Sequence, residues 1–261
     1  MYRLHLIWTF FRIGILNELA YQINFYVQFL QSLLSLGTAL AGLAIVFSHT
    51  NDLGGWRAVD ILALLGVYLM VGGAIRMVIQ PSMSQFMEDV RQGTLDFTLT
   101  KPEDAQFLIS ISQIRIWKLT DIILGLIVLG VALSKRGLEV SPFDVASFAL
   151  VMITGGAIIY SFWLILATLT FWFIRITNIL IIFQTMYEAG RWPIGIYPQW
   201  LRLILTFIVP IAFAVTVPAE ALSGRLTLPT LILSVALAIA MLTLSRWFWS
   251  LGIKNYSGAS A

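Results

Sequence analysis

Two stretches of this chain carry no Asp, Glu, Lys or Arg: 33 residues between Glu18 and Asp52, and 30 between Asp144 and Arg175. A helix needs ~20 apolar residues to cross the hydrocarbon layer of a membrane, so each stretch has room for a complete crossing. The remaining sequence leans the same way. Charged residues are 11% of the 261, less than half of the ~25% usual in a water-soluble domain, too few to cover a water-facing surface. A soluble enzyme and a secreted disulfide scaffold are excluded, and the chain reads as an all-α integral membrane protein. Cysteine is absent, which removes disulfides, thiolate metal sites and cysteine nucleophiles. His5 and His49 stand in no metal-ligand spacing, so no metal site is expected. The net charge of +3 suits basic loops beside a membrane better than nucleic-acid binding.

The pattern predicts one transmembrane domain over residues 1–261. Residues 1–20 are apolar but broken by His5, Thr9 and Arg12, which share one side of a helix; an interfacial helix lying on the membrane is expected there. Arg12 and the lack of a small-residue cleavage site argue that this segment is retained. Crossings are expected at Phe25 to Phe47, at Val59 to Ile79 (closed by Pro81), at Ile114 to Leu133, and at Val145 to Ile174. The fourth is too long for an upright crossing, so it tilts, projects, or bends near Gly155 and Gly156. After a turn at Arg175, a fifth apolar segment runs from Ile176 to Tyr187, and the last crossing is Leu226 to Ser245. Between these two, residues 191–224 contain Pro193, Pro198, Pro210 and Pro218. Their apolar core, Leu203 to Val217, is 15 residues, or ~22 Å as a helix, with Pro210 in its middle. A re-entrant hairpin is expected, with a Pro-kinked full span as the alternative. Six spans put both termini on one side. With that side cytoplasmic, ten Lys and Arg fall inside and six outside, as the positive-inside rule asks.

No lysine follows a glycine, so there is no P-loop; H-E-x-x-H and G-x-S-x-G are also absent, and no catalytic residue is expected. Asp121 is the one acid well inside a clear span, three residues from Lys118, and a local ion pair is expected there. Glu188 and Arg191 form a similar pair at the expected outer face. Gly37, Ala41 and Ala44 share a face of span one that suits close helix packing, within the chain or against a second subunit.

The polar stretch 84–102 between spans two and three is the most informative. Ser84 to Gly93 reads as a short amphipathic helix stopped by glycine. Thr94 to Thr100 alternates polar and apolar residues, and Lys101-Pro102 ends the unit. Such an element suits docking to a soluble partner, oriented by Glu88, Asp89 and Arg91. The residues 88–102, Glu-Asp-Val-Arg-Gln-Gly-Thr-Leu-Asp-Phe-Thr-Leu-Thr-Lys-Pro, resemble the R-x-G-x-L-D-x-x-L-x-K-P loop of one branch of type-2 ABC exporter permeases. Tyr197-Pro-Gln-Trp-Leu-Arg to Pro210, continuing to Pro218-Ala-Glu-Ala-Leu-Ser-Gly224, is similar to that branch's region before its last span.

The resemblance implies a permease subunit with an N-terminal interfacial helix, six spans, a cytoplasmic coupling helix between spans two and three, and a re-entrant element before span six. It implies contact with an ATPase subunit through Phe86, Glu88, Asp89, Arg91, Gly93, Leu95, Asp96, Lys101 and Pro102. Gate candidates are Pro198, Arg202, Pro210, Pro218 and Glu220. The implied partners are a dimer of ATP-binding cassette subunits, a second permease, identical or homologous, and membrane lipid, with no nucleic acid. No cofactor is expected on this chain; ATP and Mg would sit on the ATPase. The implied location is a bacterial-type plasma membrane. Substrates in the wider family include lipids, lipid-linked polysaccharides and drugs. The residues by themselves also admit an ion-coupled carrier or channel acting alone, and a docking subunit that transports nothing.

Overall fold

The computed structural model describes residues 2–19, 22–137, 141–173 and 178–256. Its regular structure is helical. First come α1 (Tyr2–Leu19) and α2 (Gln22–His49); α3 (Ala58–Ala74) then runs through a π turn at Ile75–Ile79 into α4 (Gln80–Gln92). Two short helices follow, α5 (Asp96–Leu99) and α6 (Ala105–Ser110), then α7 (Leu119–Arg136) and α8 (Pro142–Thr168) with a 3-10 turn to Phe171. Next come α9 (Asn178–Tyr187), α10 (Gln199–Leu203) with its π turn Ile204–Ile208, a π turn Ala212–Thr216 leading into α11 (Val217–Leu222), and α12 (Leu228–Lys254).

Among the described residues, five helical segments are long and apolar enough to cross a membrane: Phe25–His49, Ala58–Gln92, Ile116–Arg136, Pro142–Phe171 and Leu228–Lys254. A bent pair, Gln199–Ile208 with Ala212–Leu222, makes six if counted as one span. The described part of the fifth apolar segment, α9, has 10 residues, ~15 Å, half of a ~30 Å core. The expected end of span four at Ile174, the turn at Arg175 and the start at Ile176 lie outside the described residues.

Helix α3 is the centre of the bundle. It is apolar on every side and buried from Asp60 to Leu65 on most faces and from Gly66 through Leu69 on all of them, as expected of a helix hydrophobic all round. Its closest neighbour is α7, and glycine is the reason. A Cβ on Gly66 would stand 2.9 Å from the Gly125 carbonyl oxygen, and one on Gly125 would stand 2.7 Å from the Gly66 carbonyl oxygen. The two backbones therefore touch, which compensates in a membrane for the missing hydrophobic drive. The small-residue face expected to pack on α2 behaves differently: nothing lies within 4 Å of a Cβ added at Gly37, and no part of α2's most apolar window is buried inside the chain.

Proline is accommodated by a repeated device. Each of the three π turns, Ile75–Ile79, Ile204–Ile208 and Ala212–Thr216, is followed two residues later by a proline: Pro81, Pro210 and Pro218. A proline cannot donate to the carbonyl four residues back, and its ring crowds that carbonyl; a π turn makes room for both. Pro81 therefore does not close span two, as the sequence suggested. The Met77 carbonyl that Pro81 leaves free accepts from the Arg115 amide at 2.8 Å. The helix then runs on, giving one rod of 35 residues from Ala58 to Gln92. At Pro210 the outcome differs: Val209 leaves helical geometry at φ −119° and ψ 86°, the Ile211 amide donates back to the Val209 carbonyl at 2.6 Å, and the arms meet at a bend of 79°.

Of the three alternatives for span four, the bend near Gly155 and Gly156 is not the one taken. The helix is continuous there, and Gly155 gives the bent pair a seat: a Cβ would lie 2.5 Å from the Phe213 carbonyl oxygen.

A matched pair of variants checks this packing. Gly125→Leu should lower the melting temperature in detergent sharply, at a cost of about 3 kcal/mol or more for overpacking. Gly37→Leu should leave it unchanged. Equal melting temperatures would contradict the α3–α7 contact.

Candidate functional site

The polar element between α3 and α7 is built from its end inward. Gly93 closes α4 in the left-handed region at φ 71°. The Thr94 amide donates to the Asp89 carbonyl at 2.9 Å and the Gly93 amide to Val90 at 3.3 Å, the two bonds of a Schellman ending. The alternating stretch 94–100 forms this turn followed by the single turn of α5. The helical turn separates Leu95, which is fully buried, from Phe97, which is 74% exposed.

The nine residues read from the sequence fall into three groups. Arg91, Lys101 and Pro102 are exposed, and Glu88 is half-buried beside Arg91 in an ion pair of 2.5 Å. Asp89, Gly93 and Asp96 hold the element's own shape or stand half-buried in it; the Asp89 carboxylate accepts from Gln85 at 2.8 Å and Thr94 at 3.3 Å. Phe86 and Leu95 are buried completely, so they support the surface from beneath and do not present one. The sequence reading named Leu95 and Asp96 but missed Phe97, whose exposure follows from the helical turn.

Phe86 explains how the element is fastened. Its ring meets Phe171 at the end of α8 at 5.5 Å and Trp249 of α12 at 5.2 Å. Gly252 admits Phe171 to this cluster, since an added Cβ would lie 2.4 Å from the ring. A second fastening is polar. Asp104 caps α6 by accepting from the Phe107 amide at 3.0 Å, and Arg246 of α12 donates to both its oxygens, at 3.1 and 2.5 Å, and to Gln106 at 2.7 Å. The Arg246 hydrogen bond holds the Asp104 carboxyl below the ordinary carboxylate range. The clamp's contribution is therefore present at neutral pH and lost on acidification through that lowered value.

On the opposite face the bent pair is tied down through Asp60, whose side chain is almost fully buried. Arg225 approaches one carboxylate oxygen at 3.3 Å, Arg57 the same oxygen at 3.6 Å and Arg136 the other at 3.8 Å. Arg136 also donates to the Leu222 carbonyl, and to Ser223 at 2.7 Å, which secures the end of α11. Of the gate candidates, Pro198 and Arg202 are exposed, with Arg202 donating to the Gly195 carbonyl at 2.6 Å. Pro210 and Pro218 are buried, at the break and in the second arm, and Glu220 is half-buried two residues after Pro218. The first arm shows its apolar face outward, with Trp200, Phe207 and Ile208 each at least 60% exposed.

Asp121 is not a simple pair with Lys118. Its nearer partners come from other helices: Ser32 of α2 donates at 2.5 Å and Arg76 at 3.1 Å, against 3.7 Å for Lys118. Glu188 and Arg191, expected at the outer face, lie deeper. Arg191 donates to the Tyr68 hydroxyl at 3.3 Å, and Tyr68 stands ten residues along α3 from Ala58, ~15 Å into the bundle. Long-range partners such as these leave no local signal in sequence.

The described residues thus form a helical bundle in which one long helix reaches from the core to a folded polar element at its end. The family comparison gives the class its name: residues 33–260 match the model described as ABC-2 family transporter protein. The chain belongs to that family and is an ABC transporter permease, a multi-pass membrane protein. No curated protein and no solved structure matches it.

Asp60→Ala leaves three arginines facing each other and should destabilise the protein by about 3–5 kcal/mol, as for removal of one member of a buried ion pair. Arg57→Ala, which removes an exposed partner, should cost under about 1 kcal/mol. Chemical denaturation in mixed micelles reads both, and equal costs would contradict a buried hub.

Proposed function

We propose that this chain is the membrane-spanning subunit of an ATP-driven exporter, coupling hydrolysis on a separate ATP-binding cassette subunit to movement of substrate out across the plasma membrane. ATP and Mg sit on that partner. The face bearing α4 to α6 is cytoplasmic, and with it both ends of the chain, since α1 seats Gly14 on the Ile114 carbonyl and α12 ends beside Phe86. Residues 1–20 then lie along the cytoplasmic surface of the membrane.

The observation that carries this reading is the exposed Phe97 at the tip of an otherwise rigid, well-fastened element. A large exposed aromatic side chain, in an element whose Arg91, Thr100 and Lys101 are also exposed, suits an interface anchor among polar residues. Closure of a paired ATPase beneath it would push along α4 into α3, and through Phe86 into α8 and α12. The alternation of access then follows from helices moved as units.

Two permease subunits over two ATPases fit the state of α2, which has little packing in its own chain. Its Gly37, Ala41 and Ala44 face remains available for close approach to a second copy or a homologue. An ion-coupled carrier is the weaker reading: Asp121, its one candidate relay, is already held by Ser32, Arg76 and Lys118.

Phe97→Ala should cut recovery of the ATPase with the tagged permease by about 10-fold or more, the loss of an interface anchor worth ~2 kcal/mol. The permease itself should melt as before, because the side chain is exposed. Undiminished recovery in Phe97→Ala combined with Arg91→Ala would remove this element from the ATPase contact.

A further inference from the structure

A cavity of about 230 Å³ lies between α2, α3, α7 and α9, and its walls are polar although they sit inside the bundle. Ser32, Arg76, Lys118, Asp121, Glu188 and Arg191 line it. Three cations therefore face two carboxylates, a surplus of one positive charge. Asp121 is saturated by its three donors, and Arg191 has Glu188 at 2.6 Å yet stays 37% exposed. Ionisable groups at membrane depth are expensive and mark ligand paths.

A second cavity of about 150 Å³ lies farther along α2, toward its C-terminal half. Arg191 lines both, and the rest of the second is largely apolar, with Leu43, Ile61, Leu65 and Trp192. The slot is thus polar and cationic at one end and apolar at the other. The sequence of α2 follows the same plan. Gln28, Gln31, Ser32, Ser35 and Thr38 recur at helical spacing on one side, opposite the Gly37, Ala41 and Ala44 face. Gln31, Ser32 and Ser35 line the polar cavity and Thr38 the apolar one. A polar stripe along a membrane helix that packs little against its own chain is costly unless it meets a polar ligand.

We propose that the slot between α2 and α3 binds a single-chain or double-chain amphiphile by an anionic headgroup, phosphate or carboxylate, seated between Arg191, Arg76 and Lys118, with its apolar part leaving toward Leu43 and Leu65. The polar cavity is smaller than the ~300–1,000 Å³ of a drug-sized pocket, which suits a headgroup and not a whole molecule. Arg191 is the residue to vary: it lines both cavities and stays partly exposed although paired with Glu188 and bonded to Tyr68, whereas Asp121 engages the other two cations.

The test uses the purified full chain in phosphatidylcholine nanodiscs, with fluorescent lysophosphatidate and lysophosphatidylcholine of equal tail length as probes. Lysophosphatidate should bind at one site per chain and lysophosphatidylcholine much more weakly. Arg191→Gln should weaken lysophosphatidate about 10-fold, the loss of one charge-assisted hydrogen bond. Arg191→Lys should keep most of the binding, and Glu188→Gln should strengthen it, with melting temperatures of all three near wild type. Equal binding of the two probes, an unaltered affinity in folded Arg191→Gln, or displacement by an equal concentration of inorganic phosphate would overturn the proposal. A resident bilayer lipid and a transported amphiphile share this headgroup chemistry. ATP added to the permease–ATPase complex separates them, an arm that rests on the exporter reading: release marks cargo, and retention marks a resident lipid.

Discussion

The hydrogen bond from the Arg115 amide to the Met77 carbonyl holds together what Pro81 would otherwise divide. A proline in mid-helix costs ~3 kcal/mol and usually ends or kinks the element. Here a π turn precedes it, the orphaned carbonyl finds a donor on the incoming strand of chain, and Ser82 exchanges bonds with Gln113 at 3.0 and 3.2 Å. The polar element is thereby continuous with the most buried helix of the bundle. The same bonds fix the start of α7, so that the two helices touching at Gly66 and Gly125 are also pinned at their common end.

Fastenings at the two faces have different chemistry, and each suits its place. At the α4 end, an aromatic cluster of Phe86, Phe171 and Trp249 gives area and stiffness without any charge to desolvate. The exposed Arg246–Asp104 clamp adds direction, although exposed pairs contribute little stability. At the other end, one buried carboxylate serves three arginines and holds the bent pair against α3 and α7. Between them lies α9, whose Tyr187 donates to the Tyr68 carbonyl at 2.8 Å and stacks on its ring at 4.9 Å.

Much of this was legible in the sequence. Charge-free runs locate α2 and α8, the flanking arginines bound α12, Gly93 ends α4, and Pro210 marks the break in the bent pair. What escaped was tertiary in origin. Pro81 reads as a terminator because the π turn and Arg115 are invisible locally. The polar–apolar alternation of 94–100 does not reveal the helical turn that buries Leu95 and exposes Phe97. Gly37 looked like a packing glycine, and Gly66 and Gly125 did not, although only the latter pair meets a facing backbone. Asp121 sits three residues from Lys118, yet its shorter contacts come from α2 and the π turn after α3, 89 and 45 residues away.

Rigid continuity from α3 through α4 is the claim on which the coupling account stands. The chain has no cysteine, so spin labels can be placed without removing any. Labels on Ala74→Cys and Gln92→Cys, both exposed positions on either side of the π turn, should lie ~27 Å apart along a straight helix. Pulsed electron spin resonance on the complex with its ATPase should give one narrow distance that ATP does not change. A distribution that shortens or broadens when ATP is added would place a hinge at Ile75–Ile79 and contradict a lever that moves as one piece.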